Sequence, residues 1–367
     1  MGFIHRCDEN GMSVTLIREL GAERDNAERE LVEAGVPLPI TCRSAWAANL
    51  WRSDPWFLVV QNSSGSACAG VGLEKTRTRA LPGHTILTVR RFGERIPPQA
   101  SKAALEALAL LAKSEPYILR LTVHLFSRER HHETDESLRK LGFRQVQPPG
   151  SYRHTLVIDL RPTEDQIFAA FSESGRNKIR KTARKSLRSE VITDPAYAGR
   201  LTELQNEALQ RTGGHFASEN WLGILKMSKE HPELSQVFGL FAGEDKTPQN
   251  MIAFGWVCNH GDHAEYRAAG STRRPDLKLP YGYLIAWDMI RWAKSTGAQW
   301  FDMGGVTLGE ADEAALEGIS NFKRSFSREV VEVGAEWVLE PSPFRARMAD
   351  LVSNCAQQIR KWRRKQA

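Results

Sequence analysis

Residues 236–271 read QVFGLFAGEDKTPQNMIAFGWVCNHGDHAEYRAAGS and decide the fold that the sequence predicts. Three strand-like segments, at 236–243, 250–259 and 264–271, are separated by short polar stretches that contain Gly, Asp, Asn or Pro. This punctuation is typical of consecutive strands joined by turns. We therefore predict a meander of three antiparallel strands at the centre of a sheet.

Helices and further strands are predicted on both sides of this meander. Thr163-Glu-Asp-Gln166 has the form of a capping box, in which the threonine and glutamine side chains satisfy the first amides of a helix. The periodicity of apolar residues predicts the other elements. In chain order they are a strand at 153–160, a helical stretch that continues through 188, a short strand at 190–193, helices at 196–210 and 218–230, the meander, a helix at about 281–295, a strand at 299–305, a helical stretch through 322 and a last strand at 330–339.

The first half of the chain repeats nearly the same order of elements. It runs from a strand at 13–20 through two helices, three strands and a helix to a strand at 117–126 and a helix at 136–143. Two copies of one mixed α/β unit are the simplest explanation, and helices would cover both faces of each mostly antiparallel sheet. The predicted parts are an N-terminal domain at 1–150, a C-terminal domain at 151–340 and a basic tail at 341–367.

The second half contains five motifs in this order: Arg176-Asn177-Lys178-Ile179-Arg180-Lys181, Phe301-Asp302-Met303-Gly304-Gly305, Gly318-Ile319, Asn321-Phe322-Lys323 and Phe326. The order strand, two helices, three meandering strands, helix, strand, helix, strand resembles the GNAT acyltransferase fold. Together with these motifs, the two tandem copies resemble the Fem-type peptidyl transferases, so the predicted fold class is α/β with mixed sheets in two tandem GNAT-like acyltransferase domains. The first half matches only in architecture, and Ser327-Arg328 stands where many relatives have glycine.

The resemblance implies an enzyme that transfers an aminoacyl group from charged tRNA to a primary amine and so forms an amide. It implies a peptidoglycan-precursor side chain, or a related amine in a specialised metabolite, as the acceptor. It also implies that Lys323 lies at the catalytic cleft, where Fem-type enzymes have a lysine. Because an aminoacyl ester is already activated, alignment of the amine and stabilisation of the oxyanion would supply most of the acceleration.

The composition is that of a globular protein with a mild positive charge. Five of the six net positive charges come from the last eight residues, RKWRRKQA, so local basic clusters must provide any attraction for an anionic partner. Five scattered cysteines, never spaced as C-x-x-C, argue against a disulfide framework or a zinc ribbon. The sequence has no apolar run of about 18 residues and no secretory pattern, and we expect a cytoplasmic protein.

The turn with which acetyl-CoA-dependent GNAT enzymes bind pyrophosphate is missing from both halves. That turn has the form Arg/Gln-x-x-Gly-x-Gly/Ala, and its backbone amides bind the phosphates at a helix N-terminus. The second half has DLKLPYGYLIAW instead, where Pro280 removes one amide donor, and the first half has Pro97 and Pro98 at the corresponding place. The sequence favours aminoacyl-tRNA as the donor and leaves an acyl-CoA that is bound differently as the alternative.

Residues 176–188, here called the basic segment, contain seven Lys or Arg residues and no acidic residue. On a helix the arginines form a row at four-residue spacing, beside a separate apolar seam of Ile179, Ala183 and Leu187. Like charges at this spacing cost about 1–2 kcal/mol in total without a counter-charge. Phosphates are the predicted partner, and the alternative is a solvated helix whose charges pair with carboxylates elsewhere. The predicted binding residues are Arg176, Asn177, Lys178, Arg180, Lys181 and Arg184.

Further site residues are predicted near the meander and the helix after it. Asp302 closes a strand, where functional groups are often exposed, although capping of the next turn explains it as well. Alternation puts Tyr266 and Arg267 on opposite faces, and Arg267 is the better candidate because a charge inside a central strand is costly unless it is paired. Either Lys323 faces the donor, or neighbouring phenylalanines anchor the helix end and Lys323 only reaches solvent. The predicted catalytic residues are Lys323, Asp302 and Arg267, and the further substrate-binding residues are Tyr266, Tyr281, Phe322 and, in the loop RTGGHF, His215.

No metal site and no cofactor are predicted. Cys258, His260 and His263 have tolerable ligand spacing, but CNHGDH is better explained as the hairpin turn between two strands.

The tail, at 345–367, is a second basic candidate, with Leu351, Cys355, Ile359 and Trp362 on one side of a predicted helix. It is a candidate for contact with an anionic membrane surface or with RNA, and a solvated terminal helix is the alternative. The rival interpretation for the whole chain is a non-catalytic protein that binds RNA or membranes through a degenerate transferase fold.

Overall fold

The computed structural model describes residues 4–7, 11–50, 54–93, 95–128, 132–185, 187, 189–212, 219–274, 276–277, 279–308 and 317–366. The chain divides into two compact units. The first unit comprises the residues up to Ser151 and those from Val333 onward, and the second unit comprises Tyr152–Glu332. Every helix in the described part of the chain is too short or too polar to span a lipid bilayer.

Strands and helices are numbered here along the described chain. The strands are β1 (Ile4–Cys7), β2 (Met12–Ile17), β3 (Asp54–Gln61), β4 (Ala67–Arg77), β5 (Thr85–Gly93), β6 (Ile118–Phe126), β7 (Arg144–Val146), β8 (His154–Asp159), β9 (Ser189–Val191), β10 (Ser235–Phe241), β11 (Met251–Asn259), β12 (His263–Ser271), β13 (Trp300–Gly305), β14 (Val330–Glu332) and β15 (Gly334–Leu339). The α-helices are α1 (Ala22–Glu33), α2 (Ser44–Leu50), α3 (Pro98–Ser114), α4 (His132–Lys140), α5 (Glu164–Ala170), α6 (Glu173–Ala183), α7 (Ala198–Thr212), α8 (Trp221–Glu230), α9 (Tyr281–Ser295), α10 (Glu317–Arg324) and α11 (Pro343–Gln366).

The first unit has a mixed sheet in the order β1-β2-β3-β4-β5-β6-β15-β7. Among these neighbours, β5 and β6 are parallel and the other pairs are antiparallel. The alanine-rich face of α3 lies against one side of the sheet, with Ala100, Ala104 and Leu108 fully buried among strand residues. On the other side Leu31 of α1 packs with Phe57 of β3. Helical and loop residues therefore cover both faces, as predicted.

The last strand of the chain lies in the sheet of the first unit. β15 pairs with β6 from Gly334 opposite Phe126 to Leu339 opposite Leu121, and it also pairs with β7. The sequence had placed residues 330–339 in one strand of the second domain, but only β14 pairs there, next to β8. Strand alternation fits a place in either sheet, so local pattern does not determine which sheet such a strand joins. The predicted boundaries at 151–340 and 341–367 therefore differ from the division in the structure.

The second unit has a sheet in the order β14-β8-β13-β12-β11-β10-β9. The predicted meander is confirmed, because β11 pairs antiparallel with both β10 and β12. β12 and β13 are parallel, and the chain between them forms α9 with the predicted bounds. The capping box is also confirmed, since Thr163 and Gln166 exchange both of its hydrogen bonds at the start of α5.

The two faces of the second sheet are packed differently. On one face a Cβ at Gly255 of β11 would lie 2.4 Å from Cγ2 of Ile285, so glycine permits the close approach of α9. On the other face Trp221 of α8 makes edge-to-face contacts with Phe254 and Trp256. Residues that alternate along β12 and β13 therefore enter either the α9 side or the tryptophan side.

Truncation of Trp337 tests the placement of β15. Trp337 is fully buried in the core of the first unit, and Trp337→Ala should destabilise that unit by about 3–5 kcal/mol, the usual cost of removing a buried Trp or Phe side chain. Hydrogen exchange followed by mass spectrometry should show lost protection in β6 and β7, while β10 to β13 stay protected.

The matched control is Trp256→Ala, which removes an equally buried tryptophan from the second unit. It should deprotect β10 to β12 and leave β6 protected. Loss of protection in the second unit alone after Trp337→Ala would contradict the assignment of β15.

Candidate active site

The two parallel strands of the second unit separate after three residue pairs. The pairs are His263 opposite Trp300, Ala264 opposite Phe301 and Glu265 opposite Asp302. Beyond them β12 continues alongside β11 to Ser271, whereas the end of β13 follows β8, with Gly305 opposite Thr155. Gly304 has a φ of 74°, a backbone conformation that glycine adopts readily, and a bulge interrupts the β13 register there. We call the opening between β12 beyond Glu265 and β13 beyond Asp302 the fork.

The parallel pair of the first unit has no comparable opening in the residues described. β5 and β6 pair from Thr85 opposite Ile118 to Val89 opposite Val123, and after an irregularity in the register they pair again up to Gly93 opposite Phe126. The two units share an architecture, but the separation of parallel strands is a feature of the second one.

Asp302 lies fully buried at the base of the fork. Its Oδ2 accepts a hydrogen bond from the Tyr152 hydroxyl at 2.7 Å. Its Oδ1 accepts one from the Thr155 hydroxyl and another from the Gly304 amide, the latter at 2.8 Å. The capping role that the sequence suggested for Asp302 is thus present, and the carboxylate also holds Tyr152 and Thr155.

Glu265 is a second buried carboxylate, directly opposite Asp302 across the strand pair. The Tyr152 hydroxyl lies 3.2 Å from Oε1 of Glu265, and Nε2 of His260 lies 3.1 Å from Oε2. A hydroxyl has a single proton to donate, so Tyr152 can serve one carboxylate at a time. The shorter distance indicates that it donates to Asp302.

Arg267 and Tyr266 occupy opposite faces of β12, as alternation predicts. Nη1 of Arg267 lies 3.7 Å from Oε1 of Glu265, and the side chain is 37 % exposed. Tyr266 instead packs with the α9-side core, near the ring of Phe322. Burial raises the pKa of the Tyr266 hydroxyl, which therefore stays protonated. The positive charge of Arg267 inside β12 is thus paired with Glu265, as the sequence argument required.

Lys323 is buried beside the fork, with 7 % of the residue exposed. Its Nζ donates a 2.6 Å hydrogen bond to the carbonyl oxygen of Gly305. Burial lowers the pKa of Lys323 to about 8, although the carboxylates of Asp302 and Glu265 oppose this by favouring the charged form. The alternative in which Lys323 only reaches solvent is therefore wrong.

An aromatic cluster holds the helix that carries Lys323. Phe326 is buried, its ring centroid lies 5.3 Å from that of Phe322, and Tyr283 contacts both rings. The predicted anchoring by the two phenylalanines is present, and it fixes Lys323 in the interior. The Tyr283 hydroxyl also accepts a 2.9 Å hydrogen bond from Nζ of Lys178, so α6 is linked to the same cluster.

The basic segment is helical over a shorter range than predicted, because α6 ends at Ala183 and Arg188 lies outside the described residues. Ala183 is exposed and Thr182 is buried, so the predicted apolar seam is also wrong at this position. The Thr182 hydroxyl donates to the carbonyl of Lys178, and an internally bonded hydroxyl can occupy a buried position.

Three of the predicted phosphate-binding residues have partners within the unit. Arg176 donates to the carbonyls of Ala169 and Phe171 at the end of α5. Lys178 donates to Tyr283, and the guanidinium of Arg180 lies over the ring of Phe168. The remaining ones, Asn177, Lys181 and Arg184, are exposed, and the described residues place no carboxylate within ion-pair distance of the two cations.

Two other predicted residues are not placed at the fork. Tyr281 is buried in the α9-side core, and its hydroxyl has no hydrogen-bond partner among the described residues. His215 lies outside the described residues. The hairpin interpretation of CNHGDH is confirmed, because the His260 amide donates to the carbonyl of His263. Within the described part of the chain, no three His, Cys, Asp or Glu side chains form a group able to hold a metal ion.

A separate cleft of about 950 Å³ lies beside β8, between α5 and residues 324–329. Its lining includes Gln166, Phe171 and Arg328 but none of the predicted site residues. We therefore place the candidate site at the fork.

Sequence reasoning missed four residues of this site: Tyr152, Thr155, His260 as a partner of a carboxylate, and Glu265. Glu265 carries the same signal that selected Arg267, an ionisable side chain inside a central strand. Tyr152 and Thr155 have no comparable local signal, since they reach Asp302 only because β8 pairs with β13.

Residues 239–354 match the FemAB family. The fold is similar to that of FemX, with 13 % sequence identity, a TM-score of 0.70, and coverage of 88 % of this chain and 97 % of FemX. It is also similar to L-PGS from Bacillus licheniformis, with 14 % identity, a TM-score of 0.53, and coverage of 92 % and 98 %. The C-terminal domain of a putative lysylphosphatidylglycerol synthetase from Agrobacterium fabrum has 12 % identity, a TM-score of 0.52, and coverage of 91 % and 97 %. No curated protein sequence matches this chain significantly.

These findings confirm the resemblance to Fem-type transferases and the fold class of two tandem GNAT-like domains. The fork residues Glu265, Arg267, Asp302 and Lys323 all lie inside the FemAB match. The match supports an acyltransferase.

The burial of Lys323 should make the stability of the protein depend on pH. Between pH about 8 and 10.5 the folded protein has lost the Lys323 proton, whereas the unfolded chain still holds it. Stability rises with pH where the unfolded state binds more protons, by up to about 1.4 kcal/mol per pH unit for one group. Relative to Lys323→Met, the wild type should therefore gain on the order of 3 kcal/mol across this window.

Denaturant unfolding of both proteins from pH 7 to 10.5 measures this difference. Other alkaline titrations occur in both proteins and cancel in the comparison. Parallel stability curves for wild type and Lys323→Met would show that Lys323 does not have a lowered pKa.

Proposed function

Starting from the FemAB match and the geometry of the fork, we propose that the protein is an aminoacyltransferase with aminoacyl-tRNA as donor and a primary amine as acceptor. The observation that carries the proposal is the buried ammonium of Lys323 beside the open ends of two parallel strands. A preorganised cation in a water-poor site stabilises negative charge that develops on a carbonyl oxygen. The acceptor that we propose is an amine of a peptidoglycan precursor or of a specialised metabolite.

The proposed reaction is the aminolysis of an ester. The amine nitrogen attacks the aminoacyl carbonyl carbon, so that a C–N bond forms and the bond to the ribose oxygen of tRNA breaks. The proton that the amine loses is balanced by the proton that the ribose oxygen gains. Lys323 would stabilise the oxyanion between these two steps, and Arg267, which is partly exposed, would bind the donor carbonyl or a terminal phosphate.

Asp302 is proposed to act as a positioning residue. It is fully buried, and its two oxygens already accept hydrogen bonds from Tyr152, Thr155 and the Gly304 amide. A carboxylate with these bonds is poorly placed to take a proton from an incoming amine. We therefore assign to it the orientation of the Tyr152 hydroxyl and of the Gly304 turn.

The start of α9 supports aminoacyl-tRNA over acyl-CoA. Pro280 is the N-cap residue, it has no amide hydrogen, and no side chain caps the helix. A pyrophosphate bound at this helix end would therefore lack one of the amide donors that such sites use. Acyl-CoA remains the alternative donor that the experiment must test.

A donor-consumption assay tests the proposal. The protein is incubated with a pool of charged tRNAs, with acyl-CoAs and with candidate amines, and products are identified by mass spectrometry. We expect an amine that gains an aminoacyl mass, with deacylation of one tRNA species. Acyl transfer from CoA would show that the donor is an acyl-CoA and not aminoacyl-tRNA. The absence of any product with all donors would favour the non-catalytic alternative.

Lys323→Met should lower turnover in this assay by about two to three orders of magnitude. This is the usual effect of removing one oxyanion donor, which raises the activation free energy by about 2.7–4 kcal/mol. Lys294→Met is the matched control, because Lys294 also donates to two carbonyls, those of Leu160 and Pro162, but lies in α9 away from the fork. Its turnover should stay near that of the wild type. Near-normal turnover in folded Lys323→Met would remove Lys323 from the site.

The exposed cations of the basic segment should contribute to tRNA binding. The double variant Lys181→Gln with Arg184→Gln should raise the Kd for tRNA. It should also reduce the slope of log affinity against log salt concentration by about 1.4–1.8, as expected for two lost phosphate contacts. Lys226→Gln with Lys229→Gln removes two exposed lysines of α8 and serves as the control. An unchanged salt slope in the first double variant would show that these two residues do not bind phosphates.

A further inference from the structure

The C-terminal helix α11 presents an apolar stripe to solvent. Twelve large hydrophobic residues are exposed in the described chain, and five of them lie on this one helix. Phe344 is 71 % exposed and Leu351 is 65 % exposed, although both are large apolar side chains. Contiguous exposed apolar surface of this kind is typical of an interaction site. The five residues are Phe344, Met348, Leu351, Val352 and Ile359.

These residues follow the helical repeat along one face. At about 100° per residue, 344, 348, 351, 352 and 359 fall within roughly one third of the helix circumference. At a rise of about 1.5 Å per residue the stripe is roughly 22 Å long. Cys355, which is also exposed, lies on the same face.

The opposite face of the same helix is anchored to the first unit. Ala346 and Ala349 are buried against Leu119 of β6. Arg120 holds the helix further, because its Nη2 pairs with Asp350 and its Nε pairs with Glu340 just before the helix. The start of α11 is thus fixed with its apolar stripe turned away from the fold.

Cationic residues accompany the stripe. Residues 345–365 contain seven Lys or Arg residues and one acidic residue, Asp350. By the helical repeat of the sequence, positions 345 and 363 fall on one flank of the stripe, and positions 347 and 365 fall on the other. Arg345 also donates to the Pro116 carbonyl of the first unit. An apolar face between two basic flanks is the arrangement of helices that lie in the plane of an anionic membrane surface.

We propose that α11 docks the protein onto an anionic phospholipid surface. The stripe would enter the boundary between headgroups and acyl chains, and the flanking cations would pair with headgroup phosphates. RNA accounts for the cations but gives the exposed aliphatic side chains nothing to contact. A second copy of this helix would bring seven cations against seven cations, so charge complementarity also favours the lipid surface.

Vesicle co-sedimentation of the full chain tests the proposal. The probes are phosphatidylcholine vesicles with and without phosphatidylglycerol, at low and at high salt. We expect binding to the anionic vesicles, weak binding to pure phosphatidylcholine, and weaker binding at high salt. Absence of binding to anionic vesicles at low salt would overturn the proposal.

Two substitutions with matched controls separate the stripe from its flanks. Leu351→Asp should weaken vesicle binding by tenfold or more, whereas Leu222→Asp, at a 60 % exposed leucine of α8, should leave it unchanged. Arg363→Gln with Lys365→Gln should weaken it on the order of tenfold, and Lys226→Gln with Lys229→Gln should not. Because the two leucines are exposed, melting temperatures should change little, which confirms that the variants are folded.

Two further results would contradict lipid docking. If Leu351→Asp and the Arg363 and Lys365 variant lose tRNA affinity but keep vesicle binding, the helix is an RNA surface. If Leu351→Asp converts a dimer to a monomer in light scattering and leaves vesicle binding intact, the stripe pairs two copies.

Discussion

The candidate site depends on the separation of β12 and β13 immediately after two buried carboxylates. Glu265 and Asp302 face each other across the last residue pair of the parallel strands, where like charges in a low-dielectric interior repel. Hydrogen bonds offset this cost: Tyr152 donates to Asp302, and His260 lies beside Glu265. Beyond this pair β12 and β13 are no longer paired with each other. The separation leaves room for Lys323, whose Nζ donates a hydrogen bond to the carbonyl oxygen of Gly305. The polar network and the opening are thus parts of one arrangement.

The comparison of the two units separates what the fold requires from what the site requires. Both have a mixed sheet with one parallel pair, yet β5 and β6 stay paired through Gly93 and Phe126. Strands that pair again after an irregularity still satisfy most of each other's backbone groups, so β5 and β6 do not separate as β12 and β13 do. The first unit is completed by β15, which pairs with β6 and brings Trp337 into its core. Architecture alone does not identify the active unit.

The sequence could predict elements whose signals are local. The meander at 236–271, the bounds of α9 and the capping box at Thr163 all follow from patterns within a few residues, and each is confirmed. The pairing of β15 with β6 could not be predicted in this way, because the same alternation fits either sheet. α6 ends at Ala183, earlier than the sequence predicts, and Thr182 rather than Ala183 is buried. Tyr152 reaches Asp302 across 150 positions of sequence, and that contact depends on strand order alone.

Lys323 shows why a functional assignment needs the structure as well as the motif. The neighbouring phenylalanines explained the sequence NFKRSF as a helix anchor, and a lysine beside an anchor usually extends to solvent. Here the aromatic cluster anchors the helix and the ammonium lies buried beside the fork. Burial lowers the pKa of Lys323 to about 8, while the carboxylates of Asp302 and Glu265 favour its charged form. Burying a cation destabilises a fold unless the interior provides partners, and those partners restore only part of the hydration that is lost. A lysine held at this cost, beside the point where a sheet opens, is better explained by an interaction that forms when a ligand enters than by the stability of the free protein.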